Sequence, residues 1–180
     1  MLLDRLFRPK PAQTMGRALY AQVVEQARKP ALYAAMGAPD TVEGRFELYT
    51  LHLMLILERL RAAGAAAQDL SQALFDAYIK ALDDALREMG VGDLSVGKKM
   101  RRLGEAFFGR GKSYDAAFAA LPDMAPLTDL LARTVYETGD AAHAPALAAY
   151  VVAQRQALAA APVERLLTGH ADWMADGDVA

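Results

Sequence analysis

"LYTLHLMLIL", Leu48 to Leu57, is the stretch on which the fold turns. Only Thr50 and His52 interrupt an otherwise apolar run, which closes at Glu58 and Arg59. A membrane-spanning helix needs about 20 such residues, so the run is too short to cross a bilayer and reads as a buried helix of a globular core. Working outward, Asp40 followed three residues later by Glu43 is a capping-box-like start, and Gly64 is a stop. Between them Val42, Phe46, Tyr49, Leu53, Ile56 and Leu60 form one helical stripe, and Leu48, Leu51 and Leu55 a second on nearly the opposite side. A helix apolar on two sides packs between neighbours, so the segment at about 41–63 is expected at the centre of the molecule.

The rest of the chain follows the same period. Ala and Leu dominate, runs of β-branched residues are missing, and the expectation is an all-α, single-domain, irregular bundle of about six to seven helices. A first helix is expected after Thr14, interrupted or kinked at Pro30, with Gly37 and Pro39 marking a turn. A third, at about 69–89, places Leu70, Leu74, Tyr78, Leu82, Ala85 and Met89 inward, with Asp76–Lys80 and Asp83–Arg87 as i,i+4 pairs outside. Gly90 ends it, and Asp93 or Ser95 caps a fourth helix that frays at "GRGK", 109–112. Further helices are expected around 114–121, 124–138 and 145–160. Residues 1–13 read as a flexible or amphipathic segment, 14–170 as the domain, and 171–180 as a frayed acidic tail.

Composition excludes several functions. The 180 residues suit one compact domain and contain no cysteine, which removes disulfides, thiolate metal sites and cysteine nucleophiles. Net charge is -2 and the pI is near 5.9, so the chain as a whole is not an electrostatic binder of DNA or other nucleic acid. The N-terminus has Asp4 and Arg5 inside its apolar stretch and is broken by Pro9 and Pro11, unlike a secretory signal. A cytoplasmic location is therefore expected.

Catalytic signatures fail on inspection. From Gly92 the sequence reads G-x-x-x-x-G-K, but position 99 is Lys where a phosphate loop needs Ser or Thr, and a helix precedes it where a strand should. Gly90 as a left-handed stop, Gly92 as turn and Asp93 as cap account for the stretch. "DDALRE", 83–88, resembles only faintly the magnesium-binding acidic motif of helical isoprenoid synthases. His52, His143 and His170 have no metal-ligand spacing, and His52 reads as a packed or hydrogen-bonded core histidine. No metal and no cofactor are expected.

The basic cluster is the stronger signal. Between Gly90 and Lys112, the cations Lys98, Lys99, Arg101, Arg102, Arg110 and Lys112 face only Asp93 and Glu105, so the segment carries 6 − 2 = +4 and the remainder -2 − 4 = -6. Lys98, Lys99, Arg101 and Arg102 spread over the arc opposite Val96, Met100, Leu103 and Phe107. They form either an ordinary solvated face or a dock for lipid headgroups, ribosomal RNA or an acidic protein segment. Gly97 and Gly104 lie on one side near Phe108, where another backbone could approach, from this domain or from a client. At the N-terminus Leu2, Leu3, Leu6 and Phe7 can form a short apolar face beside Arg5 and Arg8, suited to a membrane or groove, or can be disordered or docked on the core.

"LREMGVGDLSVGKKMRRLGEAFFGRGKSYDAAF", 86–118, resembles the central signature of the ubiquinol-cytochrome c chaperone family, with looser similarity over about 37–121. The resemblance implies a non-enzymatic helical assembly factor that binds newly made cytochrome b and assists assembly of ubiquinol-cytochrome c reductase. Mitochondrial members associate with the ribosome and carry a targeting extension not seen here, which points to a bacterial form on the cytoplasmic face of the inner membrane. In this frame Lys98, Lys99, Arg101 and Arg102, with Asp93 and Arg110 beside them, dock an acidic or phosphate-bearing surface such as the ribosome or an anionic membrane. Phe107, Phe108 and Tyr114 border a client groove. The alternative is a helical small-molecule-binding protein or magnesium-dependent isoprenoid-type enzyme, in which Asp84, Glu88 and His52 converge on a closed cavity.

Overall fold

The computed structural model describes residues 11–137 and 141–174. They form an all-α bundle, with no strand among the described residues. The helices are α1 (Pro11–Ala27), α2 (Pro30–Ala34), α3 (Val42–Ala62), α4 (Gln68–Glu88), α5 (Asp93–Ala119), α6 (Ala125–Thr134), α7 (Ala144–Ala160) and α8 (Val163–Leu167), with 3-10 turns at Gly64–Ala67 and Ala141–His143. Helix α3 touches α1, α4, α5, α7 and α8, the central position that its double stripe required. Leu48, Leu51, Leu53, Leu55, Ile56 and Leu60 are all buried. Val42, assigned to the first stripe, is instead exposed, as the first residue of the helix.

Several boundaries shift for local reasons. Helix α1 starts at Pro11, where a missing N–H costs nothing in a first turn, and not after Thr14. The cap of α3 is Thr41, whose hydroxyl accepts from the Gly44 amide at 3.1 Å, while Asp40 pairs with Arg45 across 2.6 Å. Gly44 is required there: a Cβ would lie 2.2 Å from the Pro39 carbonyl oxygen. Helix α5 does not fray at 109–112 but runs unbroken through the segment expected as a separate helix at 114–121, because Arg110 and Gly111 are held against α3. The tertiary contact outweighs the roughly 1 kcal/mol that each mid-helix glycine costs.

On α4, Leu70, Leu74 and Tyr78 face the core as expected, but near its end Leu86 is buried while Ala85 and Met89, assigned inward, are exposed. Asp83 pairs with Arg87 as expected; Lys80 bonds Asp84 rather than Asp76, which accepts from Gln72. Helix α1 lies along α4, and its Gly16 is the point of closest approach: a Cβ would stand 2.7 Å from the Ala73 backbone carbon.

The centre of α3 contains a relay of hydrogen bonds from three helices. His52 Nδ1 lies 2.8 Å from the Leu48 carbonyl, which can only accept, so Nδ1 carries the proton. Nε2 then accepts from the Tyr150 hydroxyl at 2.7 Å, and that hydroxyl accepts from Gln26 Nε2 at 2.9 Å. The core role expected for His52 holds. Its far face meets Trp173, with ring centroids 5.6 Å apart. The tail assigned to fraying from residue 171 is therefore anchored at least through Met174, whose amide donates to Gln154, while the Ala171 amide donates to Gln22. Residues 175–180 lie outside the described residues, as do 1–10 with Leu2, Leu3, Leu6 and Phe7.

Two predictions follow from this packing. Gly16→Val should destabilise the fold by about 1–3 kcal/mol or more in urea denaturation, since backbone rather than a flexible side chain blocks the new methyls. Burial pulls the His52 pKa down from 6.5 to about 4, with Lys29 adding to the effect. The unfolded chain thus takes up a proton that the folded chain refuses between those values, and stability falls as pH drops through that window, by up to roughly 3 kcal/mol. Chemical denaturation between pH 7 and 4 should show that slope reduced in His52→Gln.

Candidate functional site

Helix α5 is amphipathic in three sectors, and each meets a different environment. Its inward sector buries Val96, Phe107, Tyr114, Ala117 and Phe118. On one flank, α5 diverges from α4 and α3 to leave an open cleft of about 960 Å³, floored by Met54, Leu57 and Phe75 and walled by Phe107 and Phe108. Phe75 stacks at a tilt on both phenylalanines, at centroid distances of 5.1 Å and 6.0 Å. Polar groups stand at the end of this cleft, including Asp69, Lys112 and the Arg61–Asp115 ion pair. On the other flank a second open cleft, about 670 Å³, runs between Val42, Phe46, Leu82, Met89 and Leu103, with Lys99 and Arg102 among its lining residues.

Phe108 stands at the wall of this cleft, 63% exposed, with its ring against Phe75 and Phe107. Phe107 contributes only an edge, being 4% exposed and packed on Tyr78. Tyr114 does not border the groove at all. It stacks on Phe118 in the core, and its hydroxyl, near Thr134, has no hydrogen-bond partner among the described residues. Phe75 was missed, although an aromatic beside the Leu74 stripe is a visible signal for a second apolar face on α4.

The cations divide similarly. Lys98, Lys99 and Arg102 are exposed and make no ion pair among the described residues; Arg101 pairs with Glu105 at 3.2 Å. Arg110 is not part of this face. It makes two bonds, 2.9 Å and 2.8 Å, to Glu47, a carboxylate on α3 that is 6% exposed, and its role is to neutralise that buried charge. An acidic residue beside the apolar run signals in advance that such a partner must exist. Asp93 is neither cap nor free acid: Gly92 occupies the cap position, and Asp93 bonds Arg87, which also holds Asp83. Gly90 has φ +79 as its stop role requires. A Cβ on Gly97 or Gly104 would meet nothing within 4 Å, so no neighbouring backbone of this domain uses their side of the helix.

The convergence required by the alternative is contradicted. His52 is sealed in the core, Asp84 pairs with Lys80 on the surface, and Glu88 is exposed at the end of α4. Among the described residues no group of three or more acidic or histidine side chains is placed to hold a metal ion, and no helix is long and apolar enough to cross a membrane. Arg110→Ala should lower stability by about 2–4 kcal/mol by stranding Glu47, whereas Lys98→Ala should stay within about 0.5 kcal/mol; urea titrations of both separate a structural cation from a surface one.

The ubiquinol-cytochrome C chaperone family profile matches residues 34–173, reaching well past the 37–121 similarity seen in the sequence and into the last third of the chain. Comparison with curated proteins gives no match. Among solved structures, the crystal structure of the Cbp3 homolog from Brucella abortus is 34% identical, covers 99% of this chain and 98% of its own, and superposes with a TM-score of 0.83. The similarity thus extends over the whole bundle, clefts included, and the chain belongs to the ubiquinol-cytochrome C chaperone family.

Proposed function

We propose that the protein is a non-enzymatic chaperone that receives a segment of newly made cytochrome b in the cleft between α3, α4 and α5, at the cytoplasmic face of the inner membrane, during assembly of ubiquinol-cytochrome c reductase. Family membership supports the assembly role. The observation that carries the binding mode is the open cleft floored by Phe75 with Phe108 standing exposed at its wall. An apolar trough open along its length suits a helical client segment, because the segment needs apolar contact on one side only and can leave without the chaperone unfolding. The open helix side at Gly97 and Gly104 continues this flank of α5 and leaves room for an approaching backbone. The unpaired cations on the outer arc of α5 add an electrostatic contact to an anionic surface, membrane or ribosome, that orients the chaperone toward its client.

Tagged protein recovered from gently solubilised native membranes should bring cytochrome b with it, read by mass spectrometry and by the haem absorbance of the eluate. Phe108→Asp should reduce that recovery about tenfold or more while leaving the melting temperature unchanged, since the side chain is mostly in water. Absence of any respiratory subunit from the wild-type eluate overturns the reading.

A further inference from the structure

The end of the molecule where α4 turns into α5 exposes two apolar side chains close to the cations of α5. Met89, just past α4, is 54% exposed in the second cleft, whose lining includes Lys99 and Arg102 together with Glu43 and Glu137. Leu94, in the first turn of α5, is fully exposed. Positions 94, 98 and 101 are four and three residues apart, so Leu94 shares one outward row with Lys98 and Arg101. Neither apolar group serves the turn. Gly90 supplies the left-handed residue, the Val91 amide returns to the Leu86 carbonyl at 3.0 Å, and the half-buried Val91 provides the apolar contact such a cap uses.

A single exposed leucine is ordinary on a protein surface. Two large apolar groups at one end, interleaved with four exposed cations, have the composition of an interfacial membrane contact. Lys98, Lys99 and Arg102 have no counter-ion among the described residues, Arg101 has only an exposed one, and Asp93 is already taken by Arg87. Arg110 is spent on Glu47, but the turn itself, 87–105, still has five cations against three acids and so carries +2 in a chain of net charge -2, which draws a negative surface to this end.

We infer that the α4–α5 turn is a membrane-surface anchor for anionic lipid: Met89 and Leu94 enter the boundary between headgroups and acyl chains, and Lys98, Lys99, Arg101 and Arg102 contact headgroup phosphates. Lipid is favoured over RNA because a phosphate polymer engages the cations but offers Met89 and Leu94 no apolar phase. The inference deepens the assembly-chaperone reading by stating how the chaperone meets the membrane in which its client resides, and its chemistry is testable without any client.

The chain has no cysteine, so Leu94→Cys carrying an environment-sensitive fluorophore reports from one position. Purified full-length protein should sediment with phosphatidylcholine vesicles containing phosphatidylglycerol at least about tenfold more strongly than with phosphatidylcholine alone, and less so in high salt. The label should shift to the blue on the anionic vesicles. Met89→Ser with Leu94→Ser should weaken partitioning about three- to tenfold, and reversing the four cations to Glu should abolish it, both with unchanged melting temperature. Equal binding to both vesicle types overturns the inference. So does anionic binding that survives the double serine change without a label shift, which assigns the patch to a phosphate polymer such as RNA. Failure on vesicles with cytochrome b recovery intact removes the anchor and leaves the function; loss of cytochrome b with vesicle binding intact does the reverse.

Discussion

The structure depends on the burial of the middle of α3, Glu47 to Ile56, and on the requirement that every polar group carried into the core with it finds a partner. Leucine and isoleucine on all sides of the helix force neighbours to assemble around it. Glu47, Thr50 and His52 then decide which neighbours those can be. Glu47 is neutralised by α5 through Arg110, Thr50 bonds Tyr78 on α4, and His52 reaches Tyr150 on α7, which in turn holds Gln26 on α1. Apolar burial is non-directional, so it would accept several arrangements; three polar contacts to three different helices do not.

The division of α5 into sectors explains how one helix serves both the fold and the surface. Its inward residues close the core, its glycines leave one flank open to a cleft, and its outermost arc holds cations that the domain does not use. Arg110 shows how sharp the division is. It belongs to the same basic cluster in the sequence, but 100° per residue rotates it toward α3, and its charge is consumed internally.

What the sequence made legible was periodicity and local stops. The double stripe of α3 announced a central helix, Gly90 announced a left-handed stop, and the absence of strand patterns announced an all-α fold. Contacts between segments distant in sequence were not legible. The continuity of α5 through Gly109 and Gly111 follows from Arg110 and Met54 contacts, the burial of Tyr114 from its place beside Glu47 on α3 and Thr134 on α6, and the docking of Trp173 from the ring of His52 more than a hundred residues earlier. The site was half legible for the same reason: helical arithmetic found the outward cations and Phe108, while the cleft needed Phe75 on α4 to be brought alongside.

The docking of the chain's far end also fixes an order in time. Gln22 in the second half of α1 bonds both the Gly169 carbonyl and the Ala171 amide, and Trp173 covers His52. During synthesis the His52 ring therefore lacks one of its two covering rings until the residues beyond 169 have left the ribosome and folded back. A chain released before that point lacks the closing segment and presents an open core to proteases and to aggregation. The stretch 169–174 thus ties late residues of the chain back onto α1 and α3, and the core is fully covered only when both are present.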